Sequence, residues 1–222
     1  MLPPAIKNII KATGIYMLLC AAIFGMLLTI AQYATGSTTI GFLQFKQEYI
    51  NITVWRISFY VHVFSSIFVL LAGLTQFSTF ILVNHKGLHR FFGKLYVANI
   101  LFINFPAGMI MAVYANGQLP SKIAFIILDV LWFAFTLKAF TAVKRRDFTS
   151  HEKFMIRSFA LTLSAITLRT WKLVLTNTTS LSSESIYIMD AWLGFVPNLL
   201  VAEWIIYRKF KSKNYYSKTN KH

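Results

Sequence analysis

Charged residues are scarce in this sequence, and the scarcity excludes the ordinary soluble classes. Asp, Glu, Lys and Arg make up 13% of its 222 residues, about half the share of a typical soluble domain. Hydrophobic residues reach 56%, with 21 phenylalanines and 5 tryptophans, and the mean hydropathy is +0.58. A single cysteine, Cys20, excludes an internal disulfide and a metal site built from cysteines. There is no Ser-His-Asp or Cys-His arrangement, no phosphate-binding glycine loop and no HExxH, so hydrolytic and nucleotide-driven chemistry lacks its machinery. Internal repeats and low-complexity segments are missing. So is a pair of interrupted hydrophobic segments in matching positions, a feature that often accompanies transport.

What charge there is has one dominant sign. The formal net charge is +15, which could point to nucleic acid, but the basic residues lie in short clusters between apolar runs. That is the pattern of a polytopic membrane protein, and no nucleic-acid partner is expected. The spacing predicts an all-α bundle of six transmembrane helices, at about 13–33, 55–82, 91–114, 123–143, 154–175 and 186–207. Each run is long enough to cross a core of about 30 Å. The first is read as an uncleaved helix rather than a signal peptide, because it is longer than an h-region and no small-x-small site closes it. The chain is then one integral membrane domain, 1–222, ending in a basic tail at 208–222.

Orientation follows from Lys and Arg. One side collects Lys7, Lys11, Lys86, Arg90, Lys94, Lys138, Lys144, Arg145, Arg146, Lys153 and the tail, while the other has only Lys46, Arg56 and Lys122 near span ends. Both termini are therefore expected in the cytoplasm, with the tail against anionic lipid headgroups.

Polar residues inside the runs recur at helical spacing. His62, Ser66, Val69, Gly73 and Gln76 share a face of the second span. His89, Gly93, Tyr96, Ile100, Asn104 and Gly108 share one on the third, where Pro106 should kink the helix, and Ser158, Thr162, Ala165 and Arg169 share one on the fifth. For the small residues, close helix packing is the plain explanation. The ionisable residues sort into two depths. His62, Asp129, Arg169, Lys172 and Asp190 belong to the outer half, and His85, His89, Arg90, His151, Arg157 and Glu203 to the cytoplasmic half. Either each set is a group of neutralising pairs that fixes helix register, or it is functional, as intramembrane charges usually are. Arg157 and Glu203 enter the membrane to similar depth on consecutive spans and are expected to pair.

Several of these residues fall into motifs: LHRFFGKLY at 88–96, the later PAG, H-x5-R-S-x-A-L-T from His151, Thr167-Leu168-Arg169 and the closing Glu203-Trp204. In order and spacing they resemble the bacterial "predicted membrane protein" family numbered 2306 among the domains of unknown function, over roughly His62 to Trp204. The resemblance implies a multi-pass protein of the bacterial inner membrane with no assigned activity. It marks His62, His89, Arg90, Gly93, His151, Arg157, Arg169 and Glu203 as the polar positions of the family type.

His62 followed by the LHRFFG turn also resembles the core of the ascorbate-type transmembrane cytochromes b, where four histidines hold two haems. Here the pattern departs, since the first span has no histidine to partner His89 and the start of the fourth has none to partner His62. What remains is His89 with His151 for one haem b, or His85, His89 and His151 for one divalent metal. Three functions stay open. One is a membrane redox protein with cofactor-binding His89, His151 and His62, and a quinone at the outer polar cluster. The second is a small-solute or proton carrier working through His62, Asp129 and Arg169. The third is an accessory or assembly protein in which every polar pair is structural.

Overall fold

The computed structural model describes residues 3–219, with backbone alone for most of 4–12 and for 212–219. The Lys7 and Lys11 side chains, and the basic tail beyond Lys211, therefore lie outside the described side chains. Among the described residues every regular element is helical. The chain forms two compact units that meet in sequence at Ile52 and Thr53.

The first unit is helix α1 (Pro4–Ala31) followed by two short 3₁₀ turns, Gln32–Thr35 and Gly41–Phe45. Pro in the first helical turn suits the fixed φ of that ring. After the helix the chain is held by Tyr33, whose hydroxyl accepts the Phe42 N–H at 2.9 Å. Lys46 lays its ammonium over the rings of Phe42 and Tyr49, at 5.5 and 5.1 Å from their centroids.

The second unit contains α2 (Thr53–Gln76), the short α3 (Thr79–Asn84), α4 (Lys86–Asn99), a π-helical turn (Ile100–Asn104) and α5 (Phe105–Val113). It continues with α6 (Gln118–Lys144), α7 (Phe148–Thr162), α8 (Ser164–Thr178), α9 (Ser183–Leu193) and α10 (Val196–Thr219). Its core is a single cluster in which Val69, Tyr96, Ile100, Trp132, Phe159, Leu161 and Phe195 interdigitate. Outside that core the surface is oily: Phe68, Phe102 and Leu200 are all about two-thirds exposed or more. A soluble protein would not leave such side chains to water along whole helices, whereas lipid is their natural solvent.

Among the described residues five stretches are long and apolar enough to cross a membrane: Thr13–Thr35, Thr53–Gln76, Lys86–Val113, Gln118–Lys144 and Ser183–Lys211. The chain is thus a multi-pass helical membrane protein. The run expected at 154–175 is interrupted at Leu163, so neither α7 nor α8 reaches spanning length alone. Hydroxyls explain the interruption. Thr162 Oγ1 donates back to Ser158 O at 3.2 Å, Ser164 Oγ to Leu161 O at 2.5 Å and Thr167 Oγ1 to Leu163 O at 3.2 Å, and such back-bonding competes with the backbone ladder and bends helices. In the third span the expected kink at Pro106 takes a different form. Pro106 has no N–H to return one turn back, and the turn before it widens, with Phe105 N donating to Ile100 O.

Candidate functional site

The polar residues of the second unit occupy three levels. The middle level is a knot of hydroxyls joining α4, α6 and α7. Tyr96 Oη lies 2.8 Å from Ser158 Oγ and 2.7 Å from Thr162 Oγ1. Trp132 Nε1 donates to Thr162 Oγ1 at 3.0 Å, and Thr136 Oγ1 sits 2.7 Å from Ser158 Oγ. Tyr96, Thr136 and Ser158 are wholly buried. Every member has a partner, so the knot costs little to bury and fixes the mutual register of three helices. The expected stripes supply Tyr96, Ser158 and Thr162. Trp132 and Thr136, one helical turn apart on α6, escape the sequence reading because they belong to no charged motif; a polar Thr within an apolar run was the available signal.

The second level lies towards the basic ends of α4 and α7. His89 stands seven residues before Tyr96, and His151 seven before Ser158, so each histidine falls on the same helix face as its knot residue, two turns away. The two rings lie within electrostatic range of each other, with Arg90 also near His89. Tyr96 meets Ser158, and His89 lies within electrostatic range of His151 at the same offset, the arrangement that parallel α4 and α7 give. Asp147 caps α7 by accepting the Ser150 N–H at 2.9 Å. The Ser150 hydroxyl and N–H hold its carboxyl below the usual carboxylate value. This cap sets where His151 emerges. His151 Nδ1 lies 2.9 Å from Ala139 O; a carbonyl only accepts, so Nδ1 carries the hydrogen and Nε2 of the neutral ring keeps its lone pair. His89 Nδ1 is buried and has no hydrogen-bond partner among the described residues. Its backbone carbonyl is held by Gln76 Nε2 at 3.2 Å. Gln76 lies so close over α4 that a Cβ on Gly93 would come 2.9 Å from Gln76 Oε1, which accounts for a glycine there.

His85 is exposed at the start of α4, its ring edge-on to Phe80 at 5.6 Å. Among the described residues no three His, Cys, Asp or Glu side chains are placed to hold a metal ion, so the structure does not assemble His85, His89 and His151 into a three-imidazole group. Beside this level Arg157 and Glu203 form the expected pair, bidentate, with Nε to Oε1 at 2.5 Å and Nη2 to Oε2 at 2.9 Å. The guanidinium lies over Phe154 and Phe135, 5.3 and 5.8 Å from their centroids. A second pair, Glu152 with Lys209, joins α7 to α10 nearby.

The third level surrounds the π turn. His62 faces the backbone carbonyl of Asn104 and is within electrostatic range of Arg169, yet its Nδ1 is buried without a hydrogen bond to any described residue. Asn104 is wholly buried; its Nδ2 donates to Asn99 Oδ1 while its own Oδ1 has no partner. Asp129 packs against Gly108, where a Cβ would approach Oδ1 to 3.0 Å, and its Oδ2 is likewise unpartnered. Asp190 is buried, with Lys172 and Arg169 in electrostatic range. Arg169 itself is exposed and donates to Ala165 O at 2.7 Å. The structure thus brings His62 to the π turn and Arg169 towards His62, while Asp129 sits beside Gly108.

The interruptions at Leu163 and at Gly194 are tied together by side-chain hydrogen bonds. Thr167 Oγ1 donates to Gly194 O at 2.5 Å. Asn198 Nδ2 reaches Ala160 O at 3.1 Å and Gly194 O at 3.2 Å. Carbonyls at the breaks are therefore used within the protein.

Residues 59–206 match the model of the family described as predicted membrane protein, DUF2306. The chain belongs to this family. The match spans all three polar levels, from the start of the His62 face to the residues after Glu203. No curated protein and no solved structure matches the chain.

Proposed function

We propose that this DUF2306 protein is a membrane redox protein that holds a haem b between His89 and His151. The observation that carries the reading is that these two histidines lie within electrostatic range of each other, each two turns from its member of the Tyr96–Ser158 knot. The donor set fits the group. His151 is oriented by the Ala139 carbonyl, as haem-ligating imidazoles commonly are by a second acceptor, and leaves Nε2 free to ligate. His89 brings a buried ring nitrogen with no hydrogen-bond partner among the described residues. Two imidazoles would give the haem a one-electron couple and no open coordination position. Around them, Gln76 fixes the backbone at His89, and the Arg157–Glu203 pair neutralises charge nearby. A carrier is less well supported, because the carbonyls at the broken spans already meet Thr167 and Asn198 and offer nothing to a solute.

Protein from haem-replete cells is expected to show a Soret band that His89→Ala or His151→Ala abolishes and His62→Ala leaves in place. Colourless protein, with no band after haem reconstitution, would end this reading.

The same proposal takes the chain as crossing a bacterial plasma membrane six times, α7 and α8 together making the fifth crossing, with both termini cytoplasmic. Reporter fusions at Gly117 and Ser180 should then read as external and one at Arg146 as cytoplasmic. An external reading at Arg146 is incompatible with it.

A further inference from the structure

A groove of about 550 Å³ runs between α2 and the α4–π-turn segment on the lipid side. Its walls are Phe68, Leu71, Phe92, Leu95 and Phe102, and Asn99 is its polar member. Asn99 is the fourteenth residue of the span Lys86–Val113, so it sits about 20 Å from either end, near mid-membrane. One N–H of its amide donates to Ser65 O at 3.2 Å, and its Oδ1 accepts from Asn104. Its second N–H and the remaining lone pair of Oδ1 are left over. Its partner Asn104 has a buried Oδ1 with no hydrogen-bond partner among the described residues, and the His62 ring lies against the Asn104 backbone.

We infer that this groove binds an isoprenoid quinone, with the ring at Asn99 and the tail lying along Phe68 and Phe102 towards lipid. Depth selects the ligand. A phospholipid or a sterol keeps its polar head at the interface, about 15 Å from the midplane, and an acyl chain has nothing to offer an amide. A neutral ring with hydrogen-bonding oxygens, soluble in the hydrocarbon itself, meets both requirements. The free Asn99 N–H can donate to a quinone carbonyl, and Oδ1 can accept from a quinol hydroxyl, so one side chain serves both redox states. Pro106 creates the opportunity by widening the preceding turn, as π turns often do at functional sites. The site gives the redox reading above its membrane-soluble electron partner, but binding itself does not depend on haem.

The test is photolabelling of the full chain in nanodiscs with an azido-quinone, with the Soret band recorded on the same sample. Label is expected on the peptide 91–103 and should be displaced by excess decylubiquinone. Asn99→Leu should weaken labelling about tenfold, the worth of one hydrogen bond in a water-free site. Leu95→Trp, which fills the groove while keeping Asn99 and Asn104 themselves, should weaken it at least as much and guards against a folding defect at Asn99. Labelling elsewhere, labelling insensitive to both variants, or equal displacement by stearic acid would overturn the proposal, the last by making the groove a site for acyl chains. Cross-linking between copies through Phe102→Cys would overturn it too, by making the groove an interface. A Soret band without labelling removes the quinone site alone, and labelling without a band removes the haem alone.

Discussion

Gly73→Ala is expected to lower the thermal midpoint of the protein in detergent by several degrees. A Cβ built on Gly73 falls inside van der Waals contact of the Phe159 ring. Gly73 lies in α2 and Phe159 in α7, both in the core, so backbone faces ring with no flexible arm between them. Nor is the ring free to swing aside, since it packs on Phe77 with centroids 4.8 Å apart. Overpacking of this kind costs about 1–3 kcal/mol, at about 2–4 °C per kcal/mol for a chain of this size. Larger residues at the same place should prevent folding. Phe159→Leu makes room, so the Gly73→Ala, Phe159→Leu double variant should be more stable than additivity of the singles allows. An unchanged midpoint for Gly73→Ala would show that α2 and α7 do not pack this closely.

The second large effect concerns Arg157 and Glu203. Glu203→Leu should destabilise by about 2–3 kcal/mol, the cost of leaving one charge without its partner at the edge of the hydrocarbon. Arg157→Met should cost less. The reason is exposure: the Arg157 side chain is 19% exposed and that of Glu203 52%, so an abandoned glutamate can turn to the interface while an abandoned guanidinium stays over Phe135 and Phe154. Replacing both should recover much of the loss, because two well-packed apolar residues can substitute for an ion pair. Thermal unfolding of the two singles and the double in detergent decides it. If the double variant loses the sum of the singles, the pair carries no coupling.

Much of this pair was legible beforehand, and the reason is geometric. In a helix, depth is proportional to residue number, so counting inward from Lys153 and back from Arg208 places Arg157 and Glu203 at one level before any fold is known. The same counting placed His89 and His151 together in the cytoplasmic half and His62 in the outer half with Asp129 and Arg169. Faces were legible too, since three- and four-residue spacing put Val69 and Gly73, Tyr96 and Ile100, and Ser158 and Thr162 on what became buried stripes. Less legible were residues whose importance depends on neighbours from other helices. Thr136, Trp132, Asn99 and Asn198 belong to no charged pattern, and an isolated polar residue in an apolar run reads the same whether it satisfies itself locally or ties two helices together.

Composition and periodicity alone determined that this chain is helical, membrane-embedded and inward-facing along defined stripes, because bilayer thickness, helix pitch and the cost of bare polar groups leave no other arrangement. Only the tertiary structure decided how those helices are interrupted and which polar atoms go unpaired. Pro106 was visible as a disturbance, but whether the helix kinks or widens into a π turn depends on what packs around it. The hydroxyls near Leu163 were visible as well, and whether they break the helix depends on which carbonyls Asn198 and Thr167 are there to take. Hydrogen-bond satisfaction is a property of the assembled neighbourhood. The partnerless atoms of His62, His89, Asn104 and Asp129 emerge only once every other polar group around them has found its mate.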